Sequence, residues 1–206
     1  MYEAFIAAFV ALFVIVDPVG IAPVFAGLTQ GTSKAHQRAM ALKGTFIGML
    51  ILVFFAVLGE RFLGALGISL DGLRVAGGIM LFIIALEMVF EKRTERKQES
   101  ATEMHEHFED ISVFPVALPL LAGPGAIATI MLLVSDYGGD MLALGGILAA
   151  LTTVMLMTLI VFFMAGRVME FLGPTVNAVL TRLLGVILAA LAAQYVLDGL
   201  KGAFLG

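Results

Sequence analysis

Asp17 is the only charged residue between positions 4 and 28, and a proline follows it. A carboxylate in so apolar a run is costly to keep ionised, and such residues in membrane segments generally serve a purpose. Asp17 could hold an ammonium group or a proton, or it could cap a helix that restarts at Pro18. Capping alone stabilises by about 1 kcal/mol. A second proline stands in a similar setting at Gly123-Pro124-Gly125-Ala126. No side chain there competes for the backbone N–H groups. A helix beginning at Pro124 would therefore present open donors and roughly half a positive charge, a natural seat for a carboxylate. Together the two segments could hold a zwitterion, with its carboxylate toward Gly123–Ala126 and its amine toward Asp17. The site residues expected on this basis are Asp17, Pro18, Gly20, Gly123, Pro124, Gly125 and Ala126, with Asp17 also the coupling group for a proton or cation.

These residues must be positioned by membrane helices. The 206-residue chain is 61% hydrophobic, only 14% charged, and has a mean hydropathy of +1.06. That composition excludes a disordered chain and argues against a soluble enzyme. A net charge of −4 argues against a nucleic-acid partner, and the absence of Cys removes disulfides and thiolate chemistry. Continuous apolar runs, rather than alternating ones, point to an all-α membrane protein. Six transmembrane helices are expected, at 4–28, 40–58, 70–90, 111–134, 141–165 and 175–200, in a single membrane domain. The first is expected to be a true helix rather than a cleaved signal, because Met1-Tyr2-Glu3 has no basic residue and the run is too long.

The two prolines lie about 13 residues into the first and fourth spans, near 20 Å from one end and so near mid-membrane. Each should stop its helix, open it for a few residues and restart it as a half-helix at Pro18 or Pro124. Such open backbone survives only where protein or a water-filled cavity covers it.

The chain also matches itself at an offset of about 106 residues. Asp17-Pro18-Val19-Gly20-Ile21-Ala22 lies over Gly123-Pro124-Gly125-Ala126-Ile127-Ala128, Arg61 over Arg167 and Gly67 over Gly173. After a two-residue slip, Arg74, Gly77 and Ile79 lie over Arg182, Gly185 and Ile187. Three spans per copy invert the second copy, giving two inverted three-helix repeats at 1–90 and 111–206 joined by a polar linker at 91–110. His105 and His107 in that linker have no metal-ligand pattern, and neither a metal nor another cofactor is expected.

Lys34, Arg38, Lys43, Lys92, Arg93, Arg96, Lys97, Arg167 and Arg182 fall on one side of the membrane, against Arg61, Arg74 and Lys201 on the other. The positive-inside bias then places both termini outside and the 91–110 linker in the cytoplasm. Arg74 and Arg182 read as matched interface anchors, with pairing to Asp17 or Glu87 as the alternative. Glu87 reads as an interfacial residue, and Gly44-x-x-x-Gly48 as a site of close helix packing.

Asp-Pro-Val-Gly-Ile-Ala-Pro-Val-Phe at 17–25, together with Pro-Leu-Leu-Ala-Gly-Pro-Gly-Ala-Ile-Ala-Thr-Ile at 119–130, resembles the MarC family of bacterial and archaeal membrane proteins. The resemblance covers essentially the whole chain. It implies the three-plus-three inverted arrangement of the LysE-type transporters and, for some members, transport of glycine, alanine or serine.

The expectation is therefore a secondary transporter of small neutral amino acids in the inner or plasma membrane, driven by a proton or cation gradient. The bilayer is its surroundings, and a homo-oligomer is possible. No phosphate-binding Gly-x-x-x-x-Gly-Lys-Ser/Thr motif provides for ATP. An exporter of drugs or toxic metabolites is the runner-up. It calls for a roomy aromatic pocket, and only Phe25 and Phe114 lie near the breaks. A non-transporting scaffold leaves the duplicated breaks unexplained. An intramembrane enzyme lacks its Ser–His pair, paired Asp or zinc site.

Overall fold

The computed structural model describes residues 1–90, 92, 110–137 and 140–205. Among these residues the secondary structure is helical throughout, in the order α1 (Tyr2–Val16), α2 (Ala22–Leu28), α3 (Lys34–Ala65), α4 (Leu70–Val89), α5 (Ser112–Leu121), α6 (Pro124–Asp136), α7 (Met141–Phe163) and α8 (Ala165–Leu205). By length and composition, α3, α4, α7 and the Thr175–Leu205 part of α8 can each cross a membrane. A fifth crossing is supplied if α5 and α6, bent by 55° at their junction, count as one span. The outer faces are apolar: Phe46, Phe54 and Phe62 on α3, Ile79 and Ile83 on α4, and Leu183 and Val186 on α8 are all exposed. Helices apolar on both their buried and their open faces take lipid as their solvent.

Several boundaries differ from the apolar runs. α3 extends beyond 40–58 at both ends. Ser33 accepts a hydrogen bond from the His36 N–H at 3.2 Å, so the helix starts at Lys34, ahead of its apolar stretch. The expected connection before residue 175 is mostly helical, since α8 starts at Ala165 and is interrupted only at Gly173. Of the linker 91–110, only Lys92 and Asp110 belong to the described residues. The expected absence of a metal at His105 and His107, and the placing of this linker in the cytoplasm, lie outside them. Hydrogen bonds from Ser112, and then the Lys43 ammonium at 3.3 Å, hold the Asp110 carboxyl below the usual carboxylate range.

The packing sets the helices side by side in three relations. α1 and α2 together lie along α7. The Met1 carbonyl crowds Gly146 near one end, and Phe25 stacks on Phe162 at the other, with ring centroids 4.2 Å apart. α5 and α6 together lie along α3, with Val116 against Gly44, Leu121 against Gly48 and Met131 against Gly59. α4 and α8 run antiparallel: Gly185 meets Ala85 and Met88, Gly78 meets Ala192 and Val196, and Gly199 meets Asp71 and Val75. Exchanging α1 and α2 for α5 and α6, α3 for α7, and α4 for α8 carries these pairings onto one another. It also carries α2 on α8 onto α6 on α4. Gly67 and Gly173, matched in the internal alignment, both take left-handed backbone, at φ 72° and 64°.

Gly78 brings α4 and α8 together at backbone distance: a Cβ there would stand 2.8 Å from the Ala192 carbonyl and 3.0 Å from the Val196 nitrogen. Gly78→Ala should destabilise the protein by roughly 1–3 kcal/mol, as overpacking does, read as a lower thermal midpoint in detergent. Gly64→Ala, which adds its methyl to open space, should leave the midpoint level or raise it.

Candidate functional site

The first break follows from Pro18. Proline has no N–H and disfavours helical backbone in the residue before it. α1 therefore ends at Val16, and Asp17 takes left-handed backbone at φ 56°, ψ 65°, a conformation that Asp tolerates better than most residues. Here the structure corrects the expectation. Asp17 is the C-cap of α1, not the N-cap of a helix starting at Pro18. The chain turns through residues 18–21, and the half-helix restarts at Ala22 with Pro23 in its first turn.

Asp17 is buried, and its Oδ1 accepts a hydrogen bond from the Gly20 N–H at 3.0 Å. The Ile21 N–H donates to the Asp17 carbonyl at 3.1 Å. Gly20 is required because a Cβ there would collide with the Asp17 carboxylate. One carboxylate oxygen thus organises the turn.

The second break is built differently. Phe114 and Leu118, each before a proline, are extended and joined to it by cis peptide bonds. The chain closes two wide turns instead of an α-helix: the Val116 N–H reaches the Ile111 carbonyl at 3.1 Å, and the Ala122 N–H reaches that of Ala117 at 2.9 Å. Gly123 is extended and α6 starts at Pro124, the expected restart point. No side chain caps α6. Pro124 has no N–H, so Gly125 and Ala126 carry the donors of its first turn. A Cβ on Gly123 would sit 2.5 Å from the Pro119 carbonyl, so only glycine fits the bend.

The two breaks approach one another. The backbone of Gly125 abuts the side chain of Ile15, two residues before Asp17, and that of Ile84 on α4. Pro18, Gly20, Gly125 and Ala126 are buried, Gly123 is half-buried and Pro124 is exposed. Thr129, fully buried, donates its hydroxyl to the Gly125 carbonyl at 2.8 Å and stiffens that first turn. Sequence reasoning passed over Thr129. Its signal was the spacing of four residues from Gly125, the reach of a hydroxyl to the preceding turn.

Arg74 is more than an interface anchor, and its ion pairs are made with neither of the two acids expected. It pairs with Asp71 and Asp136, each at 3.1 Å, and thereby ties the start of α4 to the end of α6. The expected alternation of spans puts those two ends on one side, which was the clue available in advance. Among the described residues, no three His, Cys, Asp or Glu side chains converge as metal ligands would.

Comparison with known proteins places this geometry in context. The family model described as MarC family integral membrane protein matches residues 2–204. A UPF0056 membrane protein of Methanocaldococcus jannaschii is 36% identical over 206 residues, covering 98% of both chains. The UPF0056 membrane protein YvbG of Bacillus subtilis is 34% identical over 206 residues, covering 99% of this chain and 97% of that one. YhcE of Escherichia coli is 36% identical over 199 residues, covering 96% and 92%. No solved structure matches.

Gly20→Ala and Asp17→Ala should each lower stability by about 1–3 kcal/mol, through loss of a charge-assisted hydrogen bond to a buried N–H. Asp17→Asn, which keeps an acceptor oxygen, should lose less; thermal unfolding in detergent distinguishes the three. Arg74→Gln leaves Asp71 and Asp136 without their shared cation and should lower the thermal midpoint. Adding Asp136→Asn to that variant should recover part of the loss.

Proposed function

The chain belongs to the MarC family of integral membrane proteins, and from that premise we propose that it is a secondary transporter of small neutral amino acids. It works as six spans in two inverted three-helix repeats, α1 with α2 and α5 with α6 each forming one broken span. The reading rests above all on the buried approach of two breaks of opposite character. One carries the Asp17 carboxylate, and the other carries the uncapped N-terminus of α6.

The chemistry suits a zwitterion. Its carboxylate takes the N–H groups of Gly125 and Ala126, where the helix dipole favours negative charge. Its ammonium takes Oδ2 of Asp17, while Oδ1 holds the turn through Gly20. Ile15 and Ile84 crowd Gly125, which limits the substrate side chain to hydrogen, methyl or hydroxymethyl. A large aromatic cargo fits this setting poorly, since Phe25 is engaged with Phe162. Asp17 couples transport to a gradient by exchanging a proton or cation with the substrate amine. No bond of the substrate is broken, so the protein is a carrier and not an enzyme.

Antiparallel α4 and α8, the pairings that interchange between the halves, and the matching left-handed Gly67 and Gly173 support the inverted repeat. Alternating access then rocks one repeat against the other about the breaks. The ion pairs of Arg74 fasten one end of the bundle in the present conformation. In this reading the protein sits in the inner or plasma membrane with both termini outside, and Arg74 lies on that outer side.

Labelled alanine supplied to proteoliposomes carrying the purified protein should accumulate under an imposed pH gradient. Unlabelled glycine or serine should compete it away. Asp17→Asn should abolish accumulation with the protein still folded, and Gly125→Val should abolish flux altogether. Absence of alanine flux with proton, sodium and potassium gradients alike would sink the substrate assignment.

A further inference from the structure

At the end of the bundle opposite Arg74, a cleft of about 410 Å³ opens between the first turns of α3, the end of α7 and the start of α8. Lys34, Arg38 and Arg167 line it together with Gln37, Glu170 and the apolar Phe162, Phe163 and Met164. Its charged residues sum to a surplus of positive charge. None of the three cations makes an ion pair among the described residues, although Glu170 shares the cleft. The positive end of the α3 dipole opens here as well, since Lys34 is its first residue.

We propose that this cleft binds the phosphate headgroup of an anionic phospholipid. Depth is the first reason. Phe163 is the last residue of a 23-residue apolar helix, which sets the cleft at the boundary between hydrocarbon and headgroups. The second reason separates a lipid from a free anion. Leu42 and Phe46 follow Arg38 along one face of α3 at four-residue spacing, and they are 51% and 63% exposed. They form an apolar track leading from the cations toward the membrane interior, where an acyl chain would lie. A soluble phosphate has no use for that track. Arg38 and Arg167 supply planar donors for phosphate oxygens and Lys34 a point charge, while Glu170 can accept from a headgroup hydroxyl.

The cleft also touches the mobile parts of the proposed transport cycle. The Gln37 amide donates to the Thr29 carbonyl at the end of α2 at 3.0 Å, and Phe162 carries the stack with Phe25. A bound headgroup thus braces the half-helix that follows Asp17. Lipid binding itself stands or falls independently of the transport assignment.

The test uses the full-length protein exchanged into nanodiscs, with retained lipid measured by native mass spectrometry. Phosphatidylglycerol should be retained in preference to phosphatidylcholine of the same chain length. The double variant Arg38→Gln/Arg167→Gln should retain it about thirty-fold less, the loss expected for two cations at a membrane surface. Arg61→Gln/Lys201→Gln removes the same charge from the opposite end and should bind as the parent does. Equal retention of the two lipids, or equal weakening by both double variants, would overturn the proposal. So would competition by free glycerol phosphate at concentrations matching the lipid, which would make the cleft a site for soluble anions.

Discussion

Inside hydrocarbon there is no water to satisfy a peptide N–H or C=O, and each group left unpaired costs several kcal/mol. Pro18 and Pro124 both break the helical ladder within apolar stretches, so the fold around them is arranged to answer that one constraint. At the first break the answer is local: the Asp17 carboxylate and carbonyl take up the Gly20 and Ile21 N–H groups. At the second it is partial. Wide turns pair the Val116 and Ala122 N–H groups, but α6 starts without a side-chain cap. That uncapped end lies against Ile15 of α1 and Ile84 of α4.

Bringing two breaks together requires helices that approach closely, and glycines make the approach possible. Gly44, Gly48 and Gly59 admit α5 and α6 against α3, and Gly78, Gly185 and Gly199 let α4 and α8 nearly touch. Lipid offers no hydrophobic drive for helices to associate, so dispersion contacts at such small residues carry much of the packing. Where charge is needed it stays at the ends. Arg74 binds α4 to α6 through Asp136, and Lys43 pairs with Asp110 at the other side. The centre of the bundle is therefore held by shape, with Asp17 its principal charged group.

Much of this was legible in the chain. The apolar runs located α4 and α7 closely, because a helix in lipid must be apolar over the bilayer thickness. Gly123-Pro124 marked the second restart to the residue, since proline at a first helical position has one preferred geometry. The same rule misplaced the first restart. With Pro18 and Pro23 both eligible, the Gly20 N–H captured the carboxylate and moved the helix start to Ala22. The partner of Arg74 was likewise missed, because pairing an arginine with an acid 62 residues away depends on which helix ends meet.

Residue types alone determined that the chain resides in a membrane, that its helices break at two prolines, and that one break carries a charge while the other has none. Each of these follows from chemistry within a few residues: hydropathy, a missing N–H, a carboxylate beside its own backbone. Tertiary structure decided that Ile15 meets Gly125, that Arg74 finds Asp136, and that Lys34, Arg38 and Arg167 share a cleft. Those contacts join residues far apart in the chain, and only the packing of whole helices against one another sets the distances between them.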